Sequence, residues 1–546
     1  MQERRPAWVF NRRRQQGMTM TYIRITGLAG AIALLTGMAG AETLTIGVRG
    51  GPESMDPHYS ALGTHAEAAK HIFDTLVWAD EALQIAPGLA TEWSPVDDDT
   101  WEFKLREGVK FHDGSDFTAE DVKFSISRPP IVTGPTTTAI YVRRVQEVEI
   151  IDPHTIHIHT DGPAPSLPYD FVRLFIVSHT AAADYSTPET AAEGFNSGVA
   201  SIGTGPFKLT SWEPKADLVL DRFDDYWGGP AAWERVIRKE MPNDSSRLAA
   251  LMAGQVNLVN DVSSADYLQL QNDPAVDIFV GDGIYIMNML LDQRTDEMPG
   301  LRAKDGSALP ENPLRDIRVR QALDKAIDRE TMVEIVLEGL GKPADQGMPP
   351  GFFGYSENVP KPVYDPEGAK ALLAEAGYPD GFEMDLYCSS DRLPGDAAIC
   401  QGLGQMLSVI GLTVNVNATS RTVYFPAQAR GDYSVSMNGW GTLTGEATYT
   451  LGGQMHTPDA DKGLGGFNRI SYSNPDLDAL IQQGMVELDE DKRREILESA
   501  MELAADDKVL IPIVQLQSVW AARAGELDFT PRTDGDTLAY PIKPKQ

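Results

Sequence analysis

The chain has 546 residues and a formal net charge of −32, from 79 acidic against 47 basic side chains. Such an acid excess excludes nucleic acid as a natural partner, because binding phosphates takes clustered Lys and Arg. With 42% hydrophobic and 8% aromatic residues the chain is able to bury substantial cores, and its length implies more than one domain.

Arg12, Arg13 and Arg14 precede an apolar run over 25–36, and Ala39-Gly40-Ala41 offers small residues at a cleavage point. That layout predicts a cleavable secretory signal peptide over 1–41. The run falls short of the roughly 20 apolar residues that a spanning helix needs. No cysteine lies near the cleavage point, so a lipid-anchored product is not expected. Initiation at Met18 or Met20 would shorten the leader and keep the signal. The leader carries six arginines and one glutamate, so the mature chain is more acidic than the whole. A bacterial-style export signal ahead of a large soluble body implies a periplasmic protein.

In the mature part strand-like and helix-like segments alternate without repeats, as in an α/β chain. Residues 42–48 read as a strand, 65–77 as a helix, and 101–105 as a strand again. Phe111-His112-Asp113-Gly114 marks a turn, and Thr118 with Asp121 three positions on is a capping pair for a helix over 118–127. Two alternating segments around Asp152-Pro153 predict a hairpin over 145–160. Helices are expected at 245–253, 315–327, 329–338, 366–376 and 491–505; strands at 218–222, 285–291, 384–387, 413–417 and 434–438. Pro- and Gly-rich breaks fall near 161–168, 296–313 and 341–362. The two cysteines, Cys388 at the end of a strand-like run and Cys400 in a helical stretch over 396–407, are expected to pair in an oxidising compartment, two buried thiols being the alternative.

A set of phrases then stands in order along the chain: Asp56-Pro57; Pro87-Gly88-Leu89-Ala90-Thr91-Glu92-Trp93; Phe103 through Gly114; Phe117-Thr118-Ala119-Glu120-Asp121-Val122; Gly203-Thr204-Gly205-Pro206-Phe207; Asp225-Tyr226-Trp227; Arg318-Val319-Arg320-Gln321-Ala322-Leu323; and Leu372 through Tyr378. Together these resemble the family 5 extracellular solute-binding proteins of ABC importers, from about residue 44 to 530. The resemblance implies a two-lobed periplasmic binding protein fold of class C type, with an extra subdomain in the first lobe. Transposed onto this chain, 42–67 with 201–305 and 511–546 form lobe I, 68–200 the extra subdomain, and 306–510 lobe II. Chain crossings near 305 and 511 would then form a hinge, and closure would be a rigid-body motion stabilised by ligand contacts on both lobes.

In the family the stretch after a Gly-Trp pair lines the cleft; here it runs from Asn438 to Tyr449. Peptide-binding relatives place an aspartate three residues after the tryptophan, against the peptide ammonium. This chain has Leu443, which cannot balance a buried ammonium. Thr444-Gly445-Glu446-Ala447 is similar to the loop of glutathione-binding relatives, and Glu446 is a candidate to take the ammonium. Trp440, with Gly441 beside it, offers a flat stacking surface, and Arg421 a bidentate fork for a carboxylate. Ser54, Met55 and Asp56 are expected to supply the first lobe's side, with Tyr424 and Tyr449 as further candidates.

Enzyme motifs are absent: there is no G-x-S-x-G elbow, H-E-x-x-H pair or complete P-loop. Asp459, Asp461 and Gly463 mimic a calcium loop, but Ile470 stands where the bidentate glutamate belongs. His157 and His159, with His154 nearby, share one face of a strand; alternation with Ile156 and Ile158 reads as an exposed polar face rather than a metal site. The expectation is a non-enzymatic receptor without cofactor or metal, a monomer delivering a short peptide or glutathione-like solute to an inner-membrane ABC permease. The alternative solute is an oligosaccharide, an opine-type sugar conjugate or a metal chelate.

Overall fold

The alternating segment after the leader forms the strand Thr43–Val48, with Leu44, Ile46 and Val48 buried. It belongs to a 12-stranded sheet. Coordinates come from a computed structural model that describes residues 42–132, 134, 138–294 and 298–545. The expected signal segment lies outside the described residues. Among the described residues no helix is long and apolar enough to cross a membrane.

The sheet is built around one long antiparallel ribbon, Val276–Leu291 against Ile511–Arg523. On one side of the ribbon follow Leu258–Val259, Thr43–Val48, Arg235–Glu240, Leu218–Arg222 and Phe207–Ser211. On the other lie Val435–Gly441, Glu383–Ser389 and Leu301–Arg302, with Thr413–Thr419 parallel to Glu383–Ser389. Gly341–Pro343 pairs with the strand Ile511–Arg523. Each side packs its own core: Phe73, Phe195, Phe207 and Trp520 in one, Met289, Leu323, Leu386 and Ile513 in the other. A separate four-stranded antiparallel sheet, in the order Ala90–Asp97, Thr100–Leu105, Thr155–Thr160, Val145–Asp152, covers a third core containing Phe103, Phe111, Ile156 and Phe171. The result is a two-lobed α/β fold with an added subdomain.

The register of the ribbon breaks between Asp282 and Ile286. A Cβ at Gly283 would lie 2.8 Å from the Leu516 carbonyl oxygen, so only glycine allows that approach. The Gly283 carbonyl freed by the break accepts from Gln515 Nε2 at 2.8 Å.

Several expected elements form with small changes. Thr118 caps the helix Ala119–Ser127 in a reciprocal box with Asp121, and the hairpin strands are Val145–Asp152 and Thr155–Thr160. The helix expected over 65–77 is shorter, Gly63–Ala69, because the chain from 71 to 73 is recruited elsewhere. His71 O and Ile72 O accept from Phe207 N and Gly205 N, and a Cβ on Gly203 would sit 2.0 Å from Ile72 O. The helix expected over 329–338 is a single turn, Arg329–Thr331, running into a wider π-type turn at Met332–Val336. Cys388 and Cys400 are joined by a disulfide with Cα atoms 6.4 Å apart, linking the strand Glu383–Ser389 to the helix Asp396–Val409.

Candidate functional site

Where the ribbon's register breaks, Ile284 and Tyr285 turn into a cavity of about 200 Å³. Ala61, Leu62 and Gly63 close one side, from the turn that opens the helix Gly63–Ala69. Ala79, Leu83, Val172 and Arg173 line another, and Leu443 faces in from the loop after the strand Val435–Gly441. Lys70, Asp534 and Asp536 complete the wall. Leu83 holds a left-handed backbone, φ 62°, with its carbonyl oxygen 2.8 Å from where a Cβ on Gly445 would stand. Glycine at 445, itself at φ 73°, is what lets these two loops meet.

The polar wall is an ordered buried network. Lys70 Nζ donates to Asp534 at 3.0 Å and to Asp536 at 2.6 Å, and Arg532 forks onto Asp534 at 3.1 and 3.0 Å. Burial alone would raise the Asp534 carboxyl, but Lys70 and Arg532 outweigh it and hold it below the usual range. Asp536, raised by burial and by the Asp534 charge, goes the other way. Arg173, 8% exposed, donates to Ala61 O at 3.4 Å, and no carboxylate lies within ion-pair distance of it among the described residues. Its burial, which favours the neutral form, is overcome by the Tyr141 hydroxyl and the Asp536 and Asp534 carboxylates, and its pKa lies above the usual value.

A second cation stands behind Tyr285. Arg392 Nη1 donates to Asn438 Oδ1 at 2.9 Å and Gly439 O at 2.6 Å, and its guanidinium carbon is 5.8 Å from the Tyr285 ring and 5.2 Å from Phe425. Its loop is fixed by Asp396 Oδ2, which accepts from Arg392 N and Leu393 N at 3.1 and 3.0 Å. The disulfide closes this same loop. Arg392 also has no ion-pair carboxylate among the described residues. Beside Leu443, the buried Thr444 Oγ1 lacks a hydrogen-bond partner among the described residues.

The residues singled out from sequence occupy different surroundings. Trp440 is 8% exposed, donates from Nε1 to Thr450 Oγ1 at 3.1 Å, and packs between Tyr449 at 5.3 Å and the edge of Phe467 at 5.1 Å. It buttresses Tyr449, which is half-buried and whose hydroxyl is pushed up to about 12 by burial, then by Tyr141. Gly441 is required because a Cβ there would press on Ile284 and Tyr285 at 2.9 Å each. Glu446 is buried and spent on Arg493 and Thr448, and Arg421 is exposed at the start of the helix Arg421–Arg430. Tyr424 lies in the core, donating to Met437 O at 2.8 Å. Ser54 and Met55 bind Asn196 Oδ1 at 3.0 and 2.8 Å, and Asp56, fully buried, takes both arms of Arg128 at 3.1 and 2.8 Å. Of the nine, Gly441 adjoins the cavity wall through Ile284 and Tyr285; the charges that line it come from residues the sequence reading passed over. Arg173 is a lone cation in the apolar run Phe171-Val172-Arg173-Leu174-Phe175, and Asp534-Gly535-Asp536 is an acid pair around a glycine; both were visible signals.

The profile of the bacterial extracellular solute-binding proteins, family 5, matches residues 84–462. Heme-binding protein A of Haemophilus influenzae is 25% identical over 511 residues, 89% of this chain and 88% of that protein. The glutathione-binding protein GsiB of Escherichia coli K12 is 26% identical over 469 residues, 84% and 86% of the two chains. The solved structure of HbpA2 from Haemophilus parasuis superposes with a TM-score of 0.78 at 23% identity, covering 92% of this chain and all of that one. A matched profile over most of the chain, on a two-lobed fold with a cavity lined from several distant segments, makes this protein a member of the family 5 bacterial extracellular solute-binding proteins, a binding protein and not an enzyme.

Proposed function

We propose that the protein is the periplasmic receptor of an ABC importer, exported by a signal peptide cleaved after Ala41, working as a monomer and delivering a short peptide or peptide-like solute to an inner-membrane permease. The observation that carries the ligand class is the cavity at Leu443. Its size lies below the roughly 300–1,000 Å³ of pockets for drug-sized ligands. It therefore suits a small solute.

The carboxylate of that solute meets Arg392, whose guanidinium is oriented by Asn438 and Gly439 and free of any ion pair among the described residues. Tyr285 supplies a flat wall, and Thr444 Oγ1, beside Leu443, a hydrogen bond. Leu443 leaves no acid at the position where peptide-binding relatives hold an ammonium, which favours glutathione-like compounds over simple dipeptides. Glu446 is buried and paired with Arg493, which speaks against its taking the ammonium.

Lobe I comprises the strands on the 43–48 side of the ribbon and the C-terminal segment, lobe II those on the 435–441 side, and the extra subdomain the four-stranded sheet. The crossings are those expected near 305 and 511, and residues 285–291 of the long strand also pair with 435–441. The experiment is isothermal calorimetry of the mature protein against di- and tripeptides, glutathione and a neutral oligosaccharide. Micromolar or tighter binding of a peptide-like compound is expected, weakened at least about tenfold by Arg392→Gln. Binding of the sugar with no heat from any peptide overturns the ligand class and leaves the receptor role.

A further inference from the structure

The cavity wall divides into a polar part that is already satisfied and an apolar part that is not yet covered. Lys70 and Arg532 are matched by Asp534 and Asp536, and Arg173 lies in the field of the Tyr141 hydroxyl and those same carboxylates. Each charge lining the cavity thus has its counterpart within the protein, and another ion entering there would give up water for partners already in use. The larger part of the wall is aliphatic: Leu62, Leu83, Val172, Ile284 and Leu443, with the Tyr285 ring beside them. Leu83 and Ile284 belong to a buried cluster with Met348, Phe352 and Phe353, and Val172, Tyr285 and Leu443 pack against it. That backing holds the wall in shape before any solute arrives. Leu62, at the rim, is 42% exposed, so it presents apolar surface to water.

We propose that the solute carries an uncharged apolar side group of about leucine size, seated among Leu83, Val172, Ile284 and Leu443, and that Leu443 sets this preference. This rests on the peptide-like reading above and adds the chemistry of the solute's side group. An aliphatic group entering here leaves water on every face and covers apolar surface drawn from four separate segments of the chain. A charged group in the same place loses its hydration and meets no unspent partner. Leucine buries three more carbons than alanine, which corresponds to about tenfold or more in affinity.

Calorimetry of the full mature protein tests this on two scaffolds: trialanine with its single-leucine and single-aspartate isomers, and glutathione with S-propylglutathione. One leucine isomer is expected to bind about tenfold or more tighter than trialanine, with a more negative heat-capacity change, and no aspartate isomer to bind tighter than trialanine. S-propylglutathione is expected to exceed glutathione by a similar factor. Leu443→Asp is expected to bring the gain from the apolar group down toward one, and Leu443→Met, apolar and of similar volume, to keep it. Thermal melts accompany both variants; should Leu443→Asp not fold, Leu443→Ala takes its place and is expected to reduce the gain. No gain from the apolar group on whichever scaffold binds, an aspartate isomer as tight as the best leucine isomer, or a gain that the Leu443 variant leaves unmoved overturns this inference while the peptide reading stands. No heat from either scaffold overturns the peptide reading and this inference with it.

Discussion

Glu446 is bound into the protein's own charge network. Its carboxylate is held at the start of the short helix Ala447–Thr450 and buried against Arg493, which in turn lies over Phe353. Burial raises the Glu446 carboxyl and Arg493 opposes the rise. Removing one member of such a pair strands the other charge, so Glu446→Gln is expected to destabilise by about 3–5 kcal/mol. Chemical denaturation measures this, and unchanged stability contradicts the assignment. Arg421→Ala, at an exposed helix start, is expected to change neither stability nor binding. The family phrases around Trp440 located the loop that brings Leu443 to the cavity, since that motif is a chain neighbourhood. Its chemistry came from Arg173, Lys70, Asp534 and Asp536, which lie far apart in sequence and meet only through the sheet. No periodicity in one sequence reports such a meeting.

Elements whose ends are written in local chemistry were legible: the Thr118 capping box, the Asp152-Pro153 hairpin, the Pro366–Glu375 helix with Asp365 as cap. Elements decided by tertiary pairing were not. The helix after residue 63 stops because 71–73 pair with 205–207, and Ile511–Arg523 reads as a plain apolar run although it is half of the central ribbon. The disulfide acts at this scale, closing the loop that presents Arg392. Cys388→Ser with Cys400→Ser is expected to cost about 3 kcal/mol. It should also weaken ligand affinity by loosening Arg392. A thermal melt with and without reductant checks the first effect, and calorimetry the second.

Three buried histidines make a pH prediction. His58 donates from Nε2 to Phe175 O and accepts at Nδ1 from Arg128, each at 2.8 Å. His71 donates from Nδ1 to Glu67 O at 2.9 Å and accepts at Nε2 from Ala539 N at 3.2 Å; His112 donates from Nε2 to Gly205 O at 2.9 Å and accepts at Nδ1 from Gly203 N at 3.3 Å. Each ring is thus held neutral, with one donor and one acceptor nitrogen in use. Burial first, then nearby cations for His58 and His71, push them down to about 4 and about 3, and burial takes His112 to about 4. The unfolded chain titrates them near 6.5, so the folded state binds fewer protons below that pH. Their contribution is complete above about pH 6.5 and is lost as pH falls toward the folded values. Followed by NMR, the three rings should therefore stay neutral from pH 7 to pH 5, and a ring that charges near pH 6.5 in the folded protein contradicts the tautomers assigned.

At the scale of the molecule, the two sides of the sheet are joined by the ribbon and by loops that meet around the cavity. The irregularity at 282–286 is where the ribbon has fewest regular bonds, so bending concentrates there. Contacts such as Gln84 Nε2 to Gly351 O at 3.1 Å, and Tyr169 against Phe353 at 6.0 Å, join the subdomain to the far side. Ligand binding is expected to favour the form in which these are made, which small-angle scattering would register as a smaller radius of gyration on adding a bound solute. An unchanged radius contradicts closure about the ribbon. The most direct test of the whole account is native mass spectrometry of the mature protein purified gently from periplasm, with the retained solute released and identified. A small peptide-like compound is the predicted result. A neutral sugar, a metal chelate or a heme-sized macrocycle would contradict it.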